Sequence, residues 1–511
     1  MALANFFDKA TLAASQLLRG LTSADFERRM QGITVCIAVG SDQPLSFELC
    51  TCLELTTNLL ARFYPTISFA LPTPFEDFER SLRTLASEIN PAIEFADPAT
   101  SNYVLAVGEA RPSTAAAYLH LGSEGWIARV STHTTLYCGD SENPFGAAAA
   151  ASLAAANLFR MVFAAELPNT ATDTDCNLSL LTYKREHQTS LQLELKDIDL
   201  DTTHLVGLGA VGSAAIWCLA RCSWLKGTVH LVDPQEVALS NLQRYVLCAQ
   251  VHASQRLKKV DIAAKALERN PNLKGLPHLG SWGEYLYKIG DRKHDQLAVA
   301  VDSAAARREA QASLPRELLN SWTGSNGDVG ISRHTGFGKT ACLMCLYMPE
   351  TGGKNLDQIV AESLNLMQPQ HLLVVRRLLH TGESLNEETI RQIPALNNVA
   401  VDALLSFAGQ PLIVFYNEAI CGGLMLRLGG GATPEMEVPM AFQSAMAGTM
   451  LAAGLVSRAA KLHIIAETTT RFSMLQPVPE FLSFNIEREP SEKCICHDSD
   501  FLASYQQKYA S

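Results

Sequence analysis

Leu205-Val-Gly-Leu-Gly-Ala-Val-Gly212 decides the fold. It is a G-x-G-x-x-G motif between a short apolar run and the amphipathic stretch Ser213–Arg221, which is the strand–turn–helix context the motif requires. Gly207 permits the tight turn, Gly209 lets backbone approach a phosphate, and Gly212 lets the helix pack on the strand. The start of that helix offers N–H groups to an anion. Thr228–Val232 reads as the next strand, and Asp233 ends it about 20 residues on, where a carboxylate can accept from ribose hydroxyls. A glycine turn with no ligand is the bland alternative.

The residues downstream separate an ATP user from a dehydrogenase. Ser240-Asn-Leu-Gln-Arg244 follows Asp233, then Lys259, then Asn270-Pro271. Val299-Ala-Val-Asp302 reads as a further strand ending in Asp, with Arg307 and Arg308 behind it. Hydride transfer has no need of Arg, Lys and Asp around the phosphates, whereas adenylyl transfer does. Arg244 and Lys259 can neutralise a triphosphate, helped by Asn241, and Asp302 can hold Mg²⁺. Taken singly, a helix Lys is usually solvated and an Asp after a strand is often a cap. The ordered series carries the reading.

Composition sets the outer bounds. At 511 residues the chain exceeds the roughly 250–300 that one core supports, so two or more domains are expected. Its 41 Lys and Arg against 52 Asp and Glu leave a formal net charge of -11, which argues against a nucleic-acid partner. The Ala-rich run Gly146–Leu158 is shorter than a membrane span and is closed by Asn157 and Arg160. Met1–Arg19 lacks a cleavable signal layout. A cytoplasmic location follows as the expectation, with the 13 cysteines acting as thiols, ligands or nucleophiles.

Reading outward, the expected fold is α/β, with Rossmann-like doubly wound sheets in two halves. Residues 1–170 form a first α/β domain. Ile33–Val39, Tyr103–Val107 and Trp126–Ser131 read as strands, Leu45–Ala61 as a helix, and Asn143 opens another through about Phe163. Its first loop, Gly40-Ser-Asp-Gln-Pro-Leu45, has no phosphate-cradling glycines, so this half reads as a scaffold. Pro168–Asp175 reads as a linker. Residues 171–352 carry the nucleotide part, 353–410 a helical insertion, and 411–511 the return to the core. Within that return, Pro411–Tyr416, Thr468–Met474 and Phe481–Asn485 read as strands and Pro439–Ala460 as a helix.

The cysteines divide by spacing. Cys342-Leu-Met-Cys345 and Cys494-Ile-Cys496 supply four thiolates for a closed structural Zn²⁺ site, with His497 as a substitute ligand. A redox pair is the alternative, but no helix start is evident beside Cys342. Cys421, in Asn417-Glu-Ala-Ile-Cys-Gly-Gly423, is unpaired and flanked by glycines that let another chain approach. It reads as a nucleophile or as a small core residue. Cys36, Cys50, Cys52, Cys218 and Cys222 read as core, and Cys138 and Cys248 stay open as exposed thiols. Gly336-Phe-Gly-Lys-Thr340 ends like a P-loop, but Arg333 stands where its first Gly belongs.

In this order Gly207, Gly209, Gly212, Asp233, Asn241, Arg244, Lys259 and Asp302 resemble the ubiquitin-activating superfamily, which includes the bacterial molybdopterin- and thiamine-pathway adenylating enzymes. The resemblance covers about Thr203–Cys345. It implies ATP·Mg binding and adenylation of the C-terminal glycine of a ubiquitin-like protein. Asn270-Pro271 sits closer to Lys259 than is usual there, which leaves Lys258 as an alternative. The layout is similar to activating enzymes of bacterial ubiquitin-like antiviral conjugation operons, whose degenerate domain Gly125-Trp126 and Asn143-Pro-Phe-Gly-Ala-Ala148 resemble. That implies an inactive half packed on an active one, an intrachain pseudo-dimer that could pair again as a homodimer. It also implies a thioester on a cysteine near Cys421, a conjugating-enzyme partner, and an arginine lent by the other half, for which Arg19 is the candidate. Rival readings are a sulfur-carrier adenylating enzyme, a dead scaffold that binds a ubiquitin-like protein, and an NAD-dependent oxidoreductase.

Overall fold

The computed structural model describes residues 4–18, 23–112, 116–186, 195–290, 293–348, 356–364, 366, 368–381, 383–391, 404–416, 438–462, 465–490 and 493–510. The chain forms two compact units. One comprises Met1–Asn5, Leu17–Met348 and Pro439–Ser511; the other comprises Phe6–Gln16 and Pro349–Val438.

The larger unit holds two sheets. The first contains β1 (Thr34–Val39), β2 (Thr66–Ala70), β3 (Glu94–Phe95), β4 (Tyr103–Val107), β5 (Ala117–Glu124), β6 (Ile127–Ser131) and β7 (Asp175–Ser179), in the order β3-β2-β1-β4-β5-β6-β7. The second contains β8 (Ile198–Val206), β9 (Leu225–Asp233), β10 (Leu273–Leu279), β11 (Gln296–Val299), β12 (Glu317–Thr323), β13 (Asp328–Thr335), β14 (Thr469–Ser473) and β15 (Ser483–Phe484), in the order β10-β9-β8-β11-β12-β13-β14-β15. Both run parallel as far as the fifth strand and antiparallel after it. β15 apart, the two sheets have the same wiring.

The helices repeat as well. Phe47–Ala61 and Ala210–Leu219 follow the first strand of each half, Glu76–Ile89 and Lys259–Leu267 come after the second, and Pro144–Val162 and Ala441–Ala459 after the sixth. The last two pack against each other, with the rings of Phe159 and Phe442 5.8 Å apart. Gly448 makes the close approach to the Ala210–Leu219 helix possible, since a Cβ there would lie 2.5 Å from the carbonyl oxygen of Val211. Pro144–Val162 is 19 residues long, enough by length and composition to cross a membrane, but 94% of its apolar window is buried in this core. Its Arg160 pairs there with Asp173.

Several sequence expectations need correction. β11 stops at Val299, so Asp302 lies in the loop beyond the strand and does not end it. Residues Leu412–Phe415 are helical, where a strand was expected. A run this short and apolar has no period to read, and it packs in the smaller unit's own core with Phe407, whose ring is 5.3 Å from that of Phe415. Among the described residues that unit has further helices, Leu356–Ser363 and Pro369–Thr381. β2, β3, β5, β7, β10, β12 and β13 were not anticipated, and β7 begins at the last residue of the supposed linker.

One face of the second sheet carries His204, His230 and His278 on adjacent strands beneath the Trp282–Ile289 helix. Tyr285 Oη lies 3.0 Å from His204 Nε2 and 3.0 Å from His230 Nδ1, and His278 Nε2 lies 3.0 Å from His230 Nδ1. Burial, and then His294 and His230, push His204 down to about 3, while burial first and then His278 or Lys288 lowers His230 and His278. A histidine whose folded pKa is depressed stabilises the fold above its unfolded pKa and loses that stability as pH falls towards the folded one. The melting temperature is therefore expected to hold above pH 6.5 and to decline below it towards pH 3. In His204→Gln the decline should be shallower, and an unchanged slope would exclude the cluster as its source.

Candidate functional site

The strand order of the second sheet reverses between β8 and β11, and open α/β sheets bind ligands in the crevice beyond the strand ends at such a switch point. Val206, Val232 and Val299 stand in register on β8, β9 and β11, so Gly207, Asp233 and Ala300 emerge side by side. Gly207 has φ +90°, and a Cβ on it would lie 2.7 Å from the Ala300 carbonyl oxygen. A Cβ on Gly212 would collide with the carbonyl of Gly207. Gly209 precedes the Ala210–Leu219 helix, whose first-turn N–H groups have no intrahelical acceptor.

Asp233 is buried under this turn. Leu208 N–H donates to its Oδ2 at 2.7 Å and Gln235 N–H to its Oδ1 at 2.8 Å, so the carboxylate shapes the loop and keeps lone pairs for further donors. Lys259 is 5% exposed. Its Nζ donates to Gln235 Oε1 at 2.5 Å and Tyr245 Oη at 3.0 Å. Burial pulls Lys259 down, but Tyr245 and Asp233 outweigh it and hold the ammonium above its ordinary value. Neighbouring Lys258 is exposed. Tyr245 ties the group together, since a Cβ on Gly209 would lie 3.4 Å from its hydroxyl and the Arg244 guanidinium sits 5.6 Å from its ring centre. Asn241 uses its oxygen to accept Ala238 N–H at 2.9 Å, capping the turn before Arg244. Asp302 is exposed, two residues past Ala300. Arg307, on whose charge Asp302 acts, and Arg308 have partners of their own. Arg307 donates to Asn320 Oδ1 at 3.1 Å and lies over the Tyr347 ring, and Arg308 donates to the Tyr347 carbonyl at 3.0 Å.

The structure thus gathers Gly207, Gly209, Gly212, Asp233, Arg244 and Lys259, with the Asp302 loop against Gly207. Tyr245 and Gln235 are the members that sequence reasoning missed; the only signal for Tyr245 was an aromatic residue directly after Arg244. Cys421 and Arg19 lie outside the described residues. Together these groups can cradle phosphates, neutralise them and hold a ribose.

The same switch point in the first sheet is acidic. Asp42 Oδ1 accepts Glu109 N–H at 3.0 Å between Gly40 and Gly108. Buried Glu48 accepts from Gly125 N–H, Ser141 N–H and the hydroxyls of Ser123 and Ser141. Of the two carboxylates only Asp42 is exposed, and it would repel a polyphosphate there.

Cys342, Cys345, Cys494 and Cys496 form a second site, with sulfur atoms all within 4.8 Å of one another and neighbouring pairs 3.4–3.9 Å apart. A tetrahedral ion with Zn–S bonds of about 2.3 Å needs edges of about 3.8 Å, so the four sulfurs fit zinc with no open position. Cys496 takes the fourth place, and His497 does not join the set. Cys342 does cap a short helix, Leu343–Leu346, contrary to expectation, but it faces three other sulfurs instead of one. The Gly336–Thr340 stretch is a tight turn, with Lys339 N–H donating to the Gly336 carbonyl at 2.8 Å. Cys138 and Cys248 are buried, not exposed, and burial pushes Cys248 up to about 11. Cys50, expected in the core, is half-buried, with its thiol pushed up to about 11 by burial and Glu54.

Comparison with known proteins adds relatives to this geometry. The chain is 39% identical to the uncharacterized protein y4jF of Sinorhizobium fredii, over 100% of this chain and 98% of that one. It is 28% identical to ubiquitin-like modifier-activating enzyme 5 of Drosophila persimilis over 31% of this chain and 44% of that enzyme. A solved structure of the microcin C7 biosynthetic enzyme MccB with N-formylated MccA matches 57% of this chain and 66% of its own at 14% identity and a TM-score of 0.33. Residues 41–164 match the prokaryotic E2 family C, and residues 183–496 match the ThiF family. The latter match spans more than half of the sequence, so the chain belongs to the ThiF family, the adenylating family that its ordered Gly207, Asp233, Arg244, Lys259 and Asp302 resemble.

Proposed function

We propose that this chain activates the C-terminal glycine of a ubiquitin-like protein at the β8–β11 switch point. The observation that carries the reading is the joined set of Gly209, Tyr245, Lys259, Gln235 and Asp233, a cationic cradle built around a glycine turn. The glycine carboxylate attacks the α-phosphorus of ATP; the new C–O–P bond forms as pyrophosphate leaves. Arg244 and Lys259 stabilise the charge that collects on the leaving phosphates, with Asn241 beside them, and Asp233 holds the ribose. Asp302 is the residue to hold Mg²⁺, which supplies further charge neutralisation when bound.

In the second half of the reaction, the Cys421 thiolate attacks the acyl carbon and AMP departs. The thioester then passes to the cysteine of a conjugating enzyme. The similarity to ubiquitin-like modifier-activating enzyme 5 favours a protein substrate of this kind. The repeated wiring and the acidic first switch point favour an inactive half paired with an active one, as in the activating enzymes of bacterial ubiquitin-like antiviral operons, working in the cytoplasm. The segment matched to the prokaryotic E2 family C contributes Cys50, Cys52 and Cys138, none of them exposed, which favours a scaffold role for it over thioester chemistry.

The test is exchange of radiolabelled pyrophosphate into ATP, run with a panel of ubiquitin-like proteins that end in glycine. Wild type and Cys421→Ala should both exchange, and only wild type should trap the substrate in a thiol-sensitive bond. A trapped thioester in Cys421→Ala would move the acceptor elsewhere. Exchange without a thioester in wild type would favour the sulfur-carrier reading, and no exchange with any ubiquitin-like partner would leave a binding scaffold.

A further inference from the structure

Arg62 ends the Phe47–Ala61 helix of the first half and is 1% exposed, yet among the described residues no carboxylate pairs with it. Burial pulls its pKa down to about 10. A buried cation without a counter-ion is costly, so its contacts need an explanation. Its guanidinium donates to the carbonyl of Leu242 and, at 2.9 Å, to that of Cys248. Its Nε donates to Asn58 Oδ1 at 2.9 Å, and Asn58, 3% exposed, donates to the Val246 carbonyl at 2.9 Å. All three carbonyls belong to the second half and bracket Arg244 and Tyr245. That segment is neither helix nor strand, so its buried carbonyls must find donors from outside. The mirror position shows that the pattern is not generic. Arg221, after the matching helix of the second half, reaches across to a carboxylate, Glu54.

We infer that Arg62 and Asn58 are positioning residues for adenylation, and that the inactive half sets the Arg244–Tyr245 segment against the glycine turn from across the interface. The inference rests on the proposed function and adds that the first half is needed for turnover as well as for folding. Arg62 acts through backbone, with no contact to substrate.

The full chain is assayed for pyrophosphate exchange as wild type, Arg62→Gln, Arg62→Lys, Asn58→Ala and Arg160→Gln. Arg160 is equally buried in the same half but pairs with Asp173, away from this segment. Arg62→Gln is expected to lower kcat/KM for ATP about 100-fold, with KM rising, because displacement by about an ångström costs that much. Arg62→Lys should recover part of the loss, and Arg160→Gln should lower the melting temperature while staying within twofold of wild-type kcat/KM. Equal losses in Arg62→Gln and Arg160→Gln, or a folded Arg62→Gln within twofold of wild type, would overturn the inference. If Arg62→Gln does not fold, Asn58→Ala decides: a rise of threefold or more in KM supports positioning, and a value within twofold refutes it. A wild type that neither exchanges nor is stabilised by ATP sinks the proposed function first. A wild type that ATP stabilises without exchange still permits the comparison, read as loss of that stabilisation in Arg62→Gln alone.

Discussion

Lys259→Ala and Asp302→Ala are expected to reduce pyrophosphate exchange by about 10²–10³-fold, the usual cost of removing one preorganised charge from a site where negative charge shifts in the transition state. Lys259 carries the sharper expectation. Its ammonium is buried, kept charged by Tyr245 and Asp233 against the pull of burial, and held on two fixed partners, so little reorganisation is needed when phosphate arrives. Its removal leaves Tyr245 Oη and Gln235 Oε1 without their donor, a stability loss of about 1–3 kcal/mol that a thermal melt will report separately. Lys258→Ala, one residue away but exposed, should exchange at the wild-type rate. Parity between the two lysine variants would remove Lys259 from the site. For Asp302, restoration of exchange by raised Mg²⁺ would support a metal-holding role.

The second large effect is on stability. Cys496→Ser, or a strong chelator, is expected to strip one zinc per chain and lower the melting temperature by ten degrees or more. Apparent zinc binding energies in small four-ligand sites are about 10–16 kcal/mol, and each kcal/mol moves a domain of 150–250 residues by about 2–4 °C. The loss should be large here because Cys494 and Cys496 sit after β15, while Cys342 and Cys345 follow β13. Beyond the cluster, the Ser499–Tyr509 helix is held to the second sheet's connections by Tyr509 Oη on the carbonyls of His294 and Leu314. Metal analysis of purified protein checks the site directly, and protein free of zinc with an unchanged melt would show that the four thiols pack without a metal.

What was legible in the sequence was legible for a backbone reason. Gly207, Gly209 and Gly212 answer to steric demands that hold wherever a strand turns into a phosphate-facing helix, so the turn could be read without any tertiary knowledge. Arg244 and Lys259 were readable as an ordered series. Tyr245 was not, because a buried aromatic residue has no local signature, and its role depends on Lys259 arriving from another helix. The extent of β11 was misjudged because Ala300, whose N–H still donates to the Val206 carbonyl at 2.8 Å, and Val301 continue the apolar run past the strand's last residue. The kinship of the halves came from the family resemblance and not from any repeat in the residues. The first half has lost the glycines that mark the second, and its strand order emerges only from the pairing of β1 with β4.

That kinship has a consequence for stoichiometry. Enzymes assembled from two identical subunits present two equivalent pockets and must coordinate them. Under the proposed function, exposed Asp42 disfavours a nucleotide at the first switch point, and each chain would handle a single nucleotide with no sister site to cooperate with. The cross-half grip is also intramolecular, at an effective concentration fixed by the fold, so dilution does not separate the catalytic loop from its support.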